Sequence, residues 1–207
     1  MLFVYPFLLD NSWWHRLILG SLNVAILIAA AYAATSTRRT FLMAVLFLGL
    51  PSLGLQAAYL LTKDAIVGDF FFSTYAIFYI FTIFHVLRYV LAAGEVTAEK
   101  IHGAIATYIL LGLLWTSLYI IIDHQYPGSF FFNSKADSIG TLKPEDFLYF
   151  SFITLTTTGY GDIAPVTAHA RSLAILEQLS GTFYIAILIA RLTGLYQARG
   201  RGSTDRD

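Results

Sequence analysis

The sequence predicts an all-α membrane protein with five transmembrane helices and one further helix that is too short to cross a bilayer. Composition is the first reason, since 57% of the 207 residues are hydrophobic and 13% are charged, whereas soluble domains contain about 25% charged residues. Five apolar segments also have the roughly 20 residues that a helix needs to span the hydrocarbon core. The short helix begins at Pro144, a residue favoured in the first helical turn.

Residues 1–16 are apolar and aromatic but interrupted by Pro6 and by the polar run 10–12. The uninterrupted apolar stretches are too short to span as a helix, so we expect an interfacial segment. Trp13 and Trp14 then anchor the next helix at the membrane surface. A crossing by this segment is the alternative, and it would move the N-terminus to the other side. The five predicted spans are 17–35, 41–62, 70–92, 102–123 and 168–196.

A run of hydroxyl residues ends in Gly-Tyr-Gly between the last two spans, at 154–162. Gly159 and Gly161 accept positive φ without a Cβ clash, so the backbone can alternate in handedness and point successive carbonyls the same way. Carbonyls that face one axis can replace the water around a dehydrated monovalent cation. Irregular backbone at membrane depth requires such an aqueous path or burial in protein.

The sequence Thr157-Thr158-Gly159-Tyr160-Gly161-Asp162 resembles the selectivity filter of the potassium channel family, Thr-Val-Gly-Tyr-Gly-Asp. Thr158 stands where Val is commonest. The resemblance covers roughly residues 102–196. It implies a two-helix pore unit: an outer helix, a surface loop, a re-entrant pore helix over 144–156, the filter and an inner helix.

The resemblance also implies roles for individual residues. The carbonyls of Thr157, Thr158, Gly159 and Tyr160 would coordinate K⁺, with the Thr157 hydroxyl at the inner end and Gly161 completing the filter. Asp162 would hydrogen-bond behind the filter at the outer mouth. Tyr149 and Phe150 would brace the filter from the pore helix. Some family members pair this Asp with a Glu at the position of Ile153, and that pairing is absent here.

On the inner helix, the resemblance suggests that Gly181 is a gating hinge, and close packing against the pore helix is an equal alternative. Ile185, Ile189 and Thr193 recur at intervals of four residues and are expected to line the inner cavity and gate. Glu177 is an ionisable residue inside the membrane, where such residues usually have a function. We expect a buried hydrogen bond that supports the filter, with ion binding as the alternative.

The remaining segments complete the predicted organisation. Residues 1–16 form the interfacial segment, 17–100 a three-helix membrane domain, 101–197 the pore domain and 198–207 a disordered cytoplasmic tail. None of the first three spans has the repeated Arg or Lys of a voltage sensor, so we expect little or no voltage dependence. The N-terminus outside and the C-terminus in the cytoplasm place eight of the 13 Lys and Arg residues inside, in agreement with the positive-inside rule.

The resemblance implies a potassium-selective channel of the cell membrane that conducts passively and catalyses no reaction. Four copies close the ring of carbonyls, so a homotetramer in the lipid bilayer is expected, with K⁺ as the permeant ion and no cofactor. The net charge of zero suggests no nucleic-acid partner. A non-conducting receptor or regulatory subunit and a poorly selective cation channel are the alternatives. The gating stimulus and any regulatory partner are left open.

Overall fold

The computed structural model describes residues 51, 54–56, 58–59, 61–62, 64–92, 94, 97–132 and 142–204. Their helices and strands are α1 (Ala65–Val90), α2 (Ala98–Gln125), β1 (Phe130–Phe132), α3 (Pro144–Leu155), β2 (Ile163–Pro165) and α4 (Ala168–Thr204). The described residues between 51 and 62 are helical as well. The interfacial segment and the first predicted span lie outside the described residues, so the count of five spans stays a prediction.

Three described helices are long and apolar enough to cross a membrane: Ile66–Val90, Ala98–Gln125 and Ala168–Arg191. They confirm the last three predicted spans and extend two of them by several residues at the start. The chain is therefore a mostly helical, multi-pass membrane protein.

The chain divides into two units, Met1–Thr74 and Tyr75–Asp207, with the boundary inside α1. In the first unit, the rings of Tyr59 and Phe71 stack at 5.7 Å. In the second unit, two cationic side chains donate hydrogen bonds to the backbone carbonyls just after α1. Lys100 Nζ donates to the Ala92 carbonyl at 3.0 Å, and Arg191 Nη2 donates to the Leu91 carbonyl at 3.1 Å. Positive charge at a helix C-terminus complements the helix dipole, so both contacts stabilise this end.

Helices α2, α3 and α4 pack on one another through glycine. A Cβ on Gly112 of α2 would lie 2.7 Å from the Phe152 ring of α3, and one on Gly181 of α4 would lie 2.3 Å from the Leu155 carbonyl oxygen. Glycine at these two positions allows helix α3 to approach both neighbours more closely than any side chain would permit. The short helix is thereby wedged between the two spanning helices of the predicted pore unit.

A two-stranded antiparallel sheet joins the loop after α2 to the residues that follow the Gly-Tyr-Gly motif. Phe130 pairs with Pro165 and Phe132 with Ile163. The Val166 amide also donates to the Ser129 carbonyl at 2.8 Å. The sequence predicts only a turn-rich loop here, because a three-residue strand has too few positions for a recognisable alternation.

Helix α4 continues to Thr204, so the prediction of a disordered tail is wrong for residues 198–204. Gly200 and Gly202 disfavour helix, but adding residues to an existing helix avoids the cost of nucleation. The domain boundaries predicted at 100 and 197 stay predictions.

Candidate functional site

Helix α3 is the short helix that the sequence predicts, and it begins with the expected signals. Pro144 occupies the first turn, and the Asp146 carboxylate accepts a hydrogen bond from the Lys143 amide at 2.8 Å. Acidic side chains here also complement the helix dipole. The 12 residues of α3 give about 18 Å of helix, too little to cross the hydrocarbon core. The helix ends just before Thr157–Gly161, which we call the filter segment.

The backbone of the filter segment alternates in handedness. Thr157, Gly159 and Gly161 have φ of 58°, 55° and 79°, whereas Thr158 and Tyr160 have negative φ. The positive φ at both glycines is the conformation expected from the sequence. Thr157 is the unexpected member, because positive φ costs a β-branched residue about 1–3 kcal/mol. The surrounding contacts therefore have to hold Thr157 in place.

Those contacts come from the end of α3. The Thr157 amide donates to the Thr154 carbonyl at 2.9 Å, and the amides of Thr158 and Gly159 both donate to the Ile153 carbonyl, at 2.8 and 3.1 Å. By contrast, within the part of the chain that the structure describes, no carbonyl of the filter segment accepts a hydrogen bond. Unpaired carbonyls are rare unless they face water or a ligand. The first three amides of the filter segment are therefore bound to the pore helix, whereas its carbonyl oxygens are left to face water or a ligand.

The Thr158 hydroxyl has a partner behind the filter segment. Its Oγ1 lies 2.9 Å from Thr156 Oγ1, and the Thr156 hydroxyl contacts the Phe152 carbonyl at 2.7 Å. The extra hydroxyl that distinguishes this chain from the Val-containing motif is therefore accommodated by a neighbouring threonine, which the sequence analysis had not identified.

Asp162 is held at the outer end of the filter segment by a tyrosine. Tyr149 Oη donates to Asp162 Oδ2 at 2.8 Å, and the Ile163 amide donates to Oδ1 at 3.1 Å. Desolvation and the hydrogen bond to Asp162 raise the pKa of Tyr149 to about 12, so the phenol remains a donor at neutral pH. Tyr149 lies one helical turn before Ile153 and so provides a pore-helix partner that Ile153 does not.

Phe150 faces the other way, into a buried aromatic cluster. Its ring lies 5.0 Å from Tyr119 and 5.4 Å from Phe130, both edge to face, and Phe130 also packs at 5.2 Å against Phe147. Such pairs add about 0.5–1.5 kcal/mol each to the burial of their area. The two aromatic residues predicted to support the filter therefore have different contacts. Tyr149 binds Asp162 at the end of the filter segment, whereas Phe150 packs against the outer helix α2.

Glu177 lies in the interior, completely buried. Its Oε2 accepts from Tyr119 Oη of α2, and its Oε1 lies 2.6 Å from Ser151 Oγ of α3. The structure thus brings Glu177 into a buried hydrogen bond, as the sequence analysis favours.

The other predicted inner-helix residues fall into two groups. Gly181 is buried against the Leu155 carbonyl, and α4 continues through it without interruption, an arrangement that favours the packing alternative. Ile185 and Ile189 are 44% and 56% exposed on one face of α4, together with Thr193. Their role in lining a cavity stays a prediction.

Sequence reasoning missed the residues that join the helices to one another. Tyr108 Oη donates to the Leu155 carbonyl at 3.3 Å, and Trp115 Nε1 donates to Ser180 Oγ at 3.1 Å. Each partner lies dozens of positions away in the chain, so no local pattern could identify the pairs. Among the described residues no cluster of His, Asp and Glu is suited to hold a resident metal ion.

Comparison with known proteins is consistent with this geometry. Residues 109–198 match the family described as "Ion channel", and that range contains most of α2, α3, the filter segment and most of α4. This match and the similar proteins below support a pore module of the potassium channel family within residues 109–198. The three spans predicted before residue 100 lie outside the matched range.

Three relatives share parts of this pore module. A voltage-gated potassium channel of Aeropyrum pernix is 28% identical over 51% of this chain and 32% of its own length. Two-pore potassium channel 5 of Arabidopsis thaliana is 33% identical over 47% and 21%. Two pore potassium channel b of Oryza sativa subsp. japonica is 28% identical over 42% and 21%. The matches therefore span a fifth to a third of these relatives. No solved structure matches the chain at a significant level.

Proposed function

We propose that this chain forms a potassium-selective channel that conducts K⁺ passively across the cell membrane as a homotetramer. The observation on which the proposal rests is the filter segment, whose φ alternates in sign and whose carbonyls accept no hydrogen bond within the described residues. Carbonyl oxygens in such a row can take the place of the hydration shell of K⁺. The names of the relatives, all potassium channels, support K⁺ as the ion.

The ligands of this proposed site are the carbonyl oxygens of Thr157, Thr158, Gly159 and Tyr160, with the Thr157 hydroxyl at the inner end. They supply oxygen dipoles and no full charge, which suits a monovalent cation that has to leave as easily as it enters. Asp162 follows these carbonyls in the chain, and its carboxylate accepts a hydrogen bond from Tyr149. Its role is to hold the outer end of the filter segment, not to bind the ion.

The proposed homotetramer would supply what one chain lacks. One copy supplies one row of carbonyls, and closing a ring around an ion takes several. The Tyr160 ring is 73% exposed, so the packing that would hold the width of the pore has to come from a neighbouring copy. The apolar side chains of Leu179 and Phe183 on α4 are exposed as well, as expected of a helix that faces lipid or another subunit.

Reconstitution of the purified protein in liposomes tests the proposal. We expect K⁺ flux down its gradient and, in mixed K⁺ and Na⁺, a reversal potential close to that of K⁺. Gly159→Ala is the inactive control, because a Cβ strains the positive φ at that position. Its matched control is Gly54→Ala, where a Cβ has no neighbour within 4 Å, and flux should persist.

The outcomes separate the alternatives. An intact tetramer without flux would favour a non-conducting receptor or regulatory subunit. A reversal potential near zero in mixed salts would favour a poorly selective cation channel. For the orientation we propose the N-terminus outside and the C-terminus in the cytoplasm, and protease accessibility in sealed vesicles tests it.

A further inference from the structure

Glu177 joins three helices at one buried carboxyl group. It lies on α4, and its two oxygens contact Tyr119 Oη of α2 and Ser151 Oγ of α3, the second at 2.6 Å. The side chain is 0% exposed. Ser151 lies near the middle of the pore helix and is also fully buried. The carboxyl therefore links the outer helix, the pore helix and the inner helix.

The hydrogens available at this junction indicate which form of the carboxyl is present. Ser151 Oγ lies within hydrogen-bonding distance of two oxygens, Glu177 Oε1 at 2.6 Å and the Gly112 carbonyl at 2.8 Å. A serine hydroxyl has one hydrogen, and a carbonyl oxygen has none. If Glu177 were ionised, Ser151 could satisfy only one of the two contacts, and the other would bring two oxygens together with no proton between them.

A protonated Glu177 resolves this conflict. Its own O–H then donates to Ser151 Oγ, and the Ser151 hydroxyl donates to the Gly112 carbonyl. Tyr119 Oη donates to the second carboxyl oxygen. Every close oxygen–oxygen contact now contains one hydrogen, and each buried polar atom has a partner, as buried groups require.

The surroundings of the carboxyl favour the same form. The titratable groups that face it are the phenols of Tyr119 and Tyr108, both on α2. Helix α3 presents only the hydroxyl of Ser151. No Lys, Arg or His of the described residues forms an ion pair with Glu177. An ionised carboxylate in so apolar a site would have no positive partner, which is strongly unfavourable.

We propose that Glu177 is held as a neutral carboxylic acid at neutral pH and that its proton positions the pore helix. The donors run in series from Tyr119 through Glu177 and Ser151 to the Gly112 carbonyl. Removing the proton at alkaline pH turns the Ser151 hydroxyl towards the carboxylate and breaks its bond to Gly112. Helix α3 then loses a buried bond to the outer helix.

The filter segment is placed to respond to such a loss. Its amides at Thr158 and Gly159 both donate hydrogen bonds to the Ile153 carbonyl, which lies two residues beyond Ser151 on α3. A shift of α3 therefore moves the points to which the filter backbone is tied. Glu177 is thus a positioning residue for the filter segment, and loss of its proton at alkaline pH lowers K⁺ conduction. The effect on conduction rests on the proposed function, whereas the protonation of Glu177 does not.

Infrared difference spectroscopy of the full-length protein tests the protonation directly. At neutral pH the wild type should show the carbonyl stretch of a protonated carboxylic acid, and Glu177→Gln should lose that band. Glu99→Gln, at an exposed carboxyl in the first turn of α2, is the matched control and should keep it. If Glu177→Gln instead loses carboxylate bands, Glu177 is ionised and the proposal is overturned.

Two milder variants guard against a misfolded Glu177→Gln. Tyr119→Phe and Ser151→Ala each remove one partner of the carboxyl and should shift the frequency of the same band. An unchanged band in both would overturn the proposed series of donors.

Flux measurements in liposomes test the consequence. Wild-type K⁺ flux should fall from neutral to alkaline pH, whereas Glu177→Gln, whose amide accepts from Tyr119 and donates to Ser151, should keep its flux. An equal fall in both proteins would refute the positioning role. If no variant conducts but the band is present, the proposed function fails and the protonated junction stands.

Discussion

The variant Gly181→Ala tests whether this glycine is a packing site or a hinge. Gly181 lies on α4, directly over the end of the pore helix. An added Cβ would sit 2.3 Å from the Leu155 carbonyl oxygen and 2.9 Å from Leu155 Cδ1. The carbonyl belongs to the backbone of α3 and cannot rotate away as a flexible side chain could. The helices would have to separate, and the end of α3 next to the filter segment would move.

The magnitude follows from three contributions. Overpacking a tight contact costs about 1–3 kcal/mol, and contact with backbone places this case at about 2–3 kcal/mol. The displaced Leu155 carbonyl also loses its hydrogen bond from Tyr108, about 1 kcal/mol. Alanine favours helix over glycine by about 1 kcal/mol. The net destabilisation is about 2–3 kcal/mol, or roughly 4–12 °C in melting temperature for a chain of this size.

Thermal unfolding in detergent, monitored together with K⁺ flux in liposomes, measures both effects. We expect Gly181→Ala to lower the melting temperature and the flux together. Gly54→Ala, with no neighbour within 4 Å of the added Cβ, is the control and should melt at or above the wild-type temperature. A Gly181→Ala protein that melts like the wild type but opens less often would refute the packing account and support a hinge.

Three further outcomes are expected from the residues around the filter segment. Tyr149→Phe removes the hydrogen bond to Asp162, which contributes about 1 kcal/mol of stability at this partly exposed site. K⁺ flux in liposomes should therefore decay sooner than in the wild type. An unchanged decay would argue against support of the filter segment by Tyr149. Because the pKa of Tyr149 is raised to about 12 and only the protonated phenol donates, this bond should be present below that pH and lost above it. The persistence of flux in Tyr149→Phe relative to wild type should therefore stay constant from neutral to moderately alkaline pH, even where deprotonation of Glu177 lowers the flux of both proteins. Thr158→Val restores the commonest family residue and removes the contact with Thr156; the preference for K⁺ in reversal potentials should be unchanged, and its loss would assign selectivity to the hydroxyl.

Much of the fold could be predicted because its determinants are local in the sequence. Long apolar runs define α1, α2 and most of α4, since only a helix satisfies its own backbone within lipid. Pro144 marks the start of α3. The glycines of the filter segment correctly predict positive φ at Gly159 and Gly161.

The rest depends on contacts between distant segments. Positive φ at Thr157 has no signal in a threonine, because it is imposed by hydrogen bonds to α3. The partners of Glu177 are 58 and 26 positions away, at distances fixed only when the helices pack. The sequence identified Glu177 as a buried, ionisable residue, but the packing alone revealed that Tyr119 and Ser151 share its carboxyl.

The central claim is that backbone carbonyls of the filter segment replace water around K⁺, and density for the ion tests it most directly. A map of the assembled protein in Tl⁺, an anomalous scatterer that substitutes for K⁺, locates the permeant ion. We expect anomalous peaks on a fourfold axis, between the carbonyls of Thr157, Thr158, Gly159 and Tyr160 from four copies. Ion density elsewhere, or filter segments that lie away from any symmetry axis, would contradict the account.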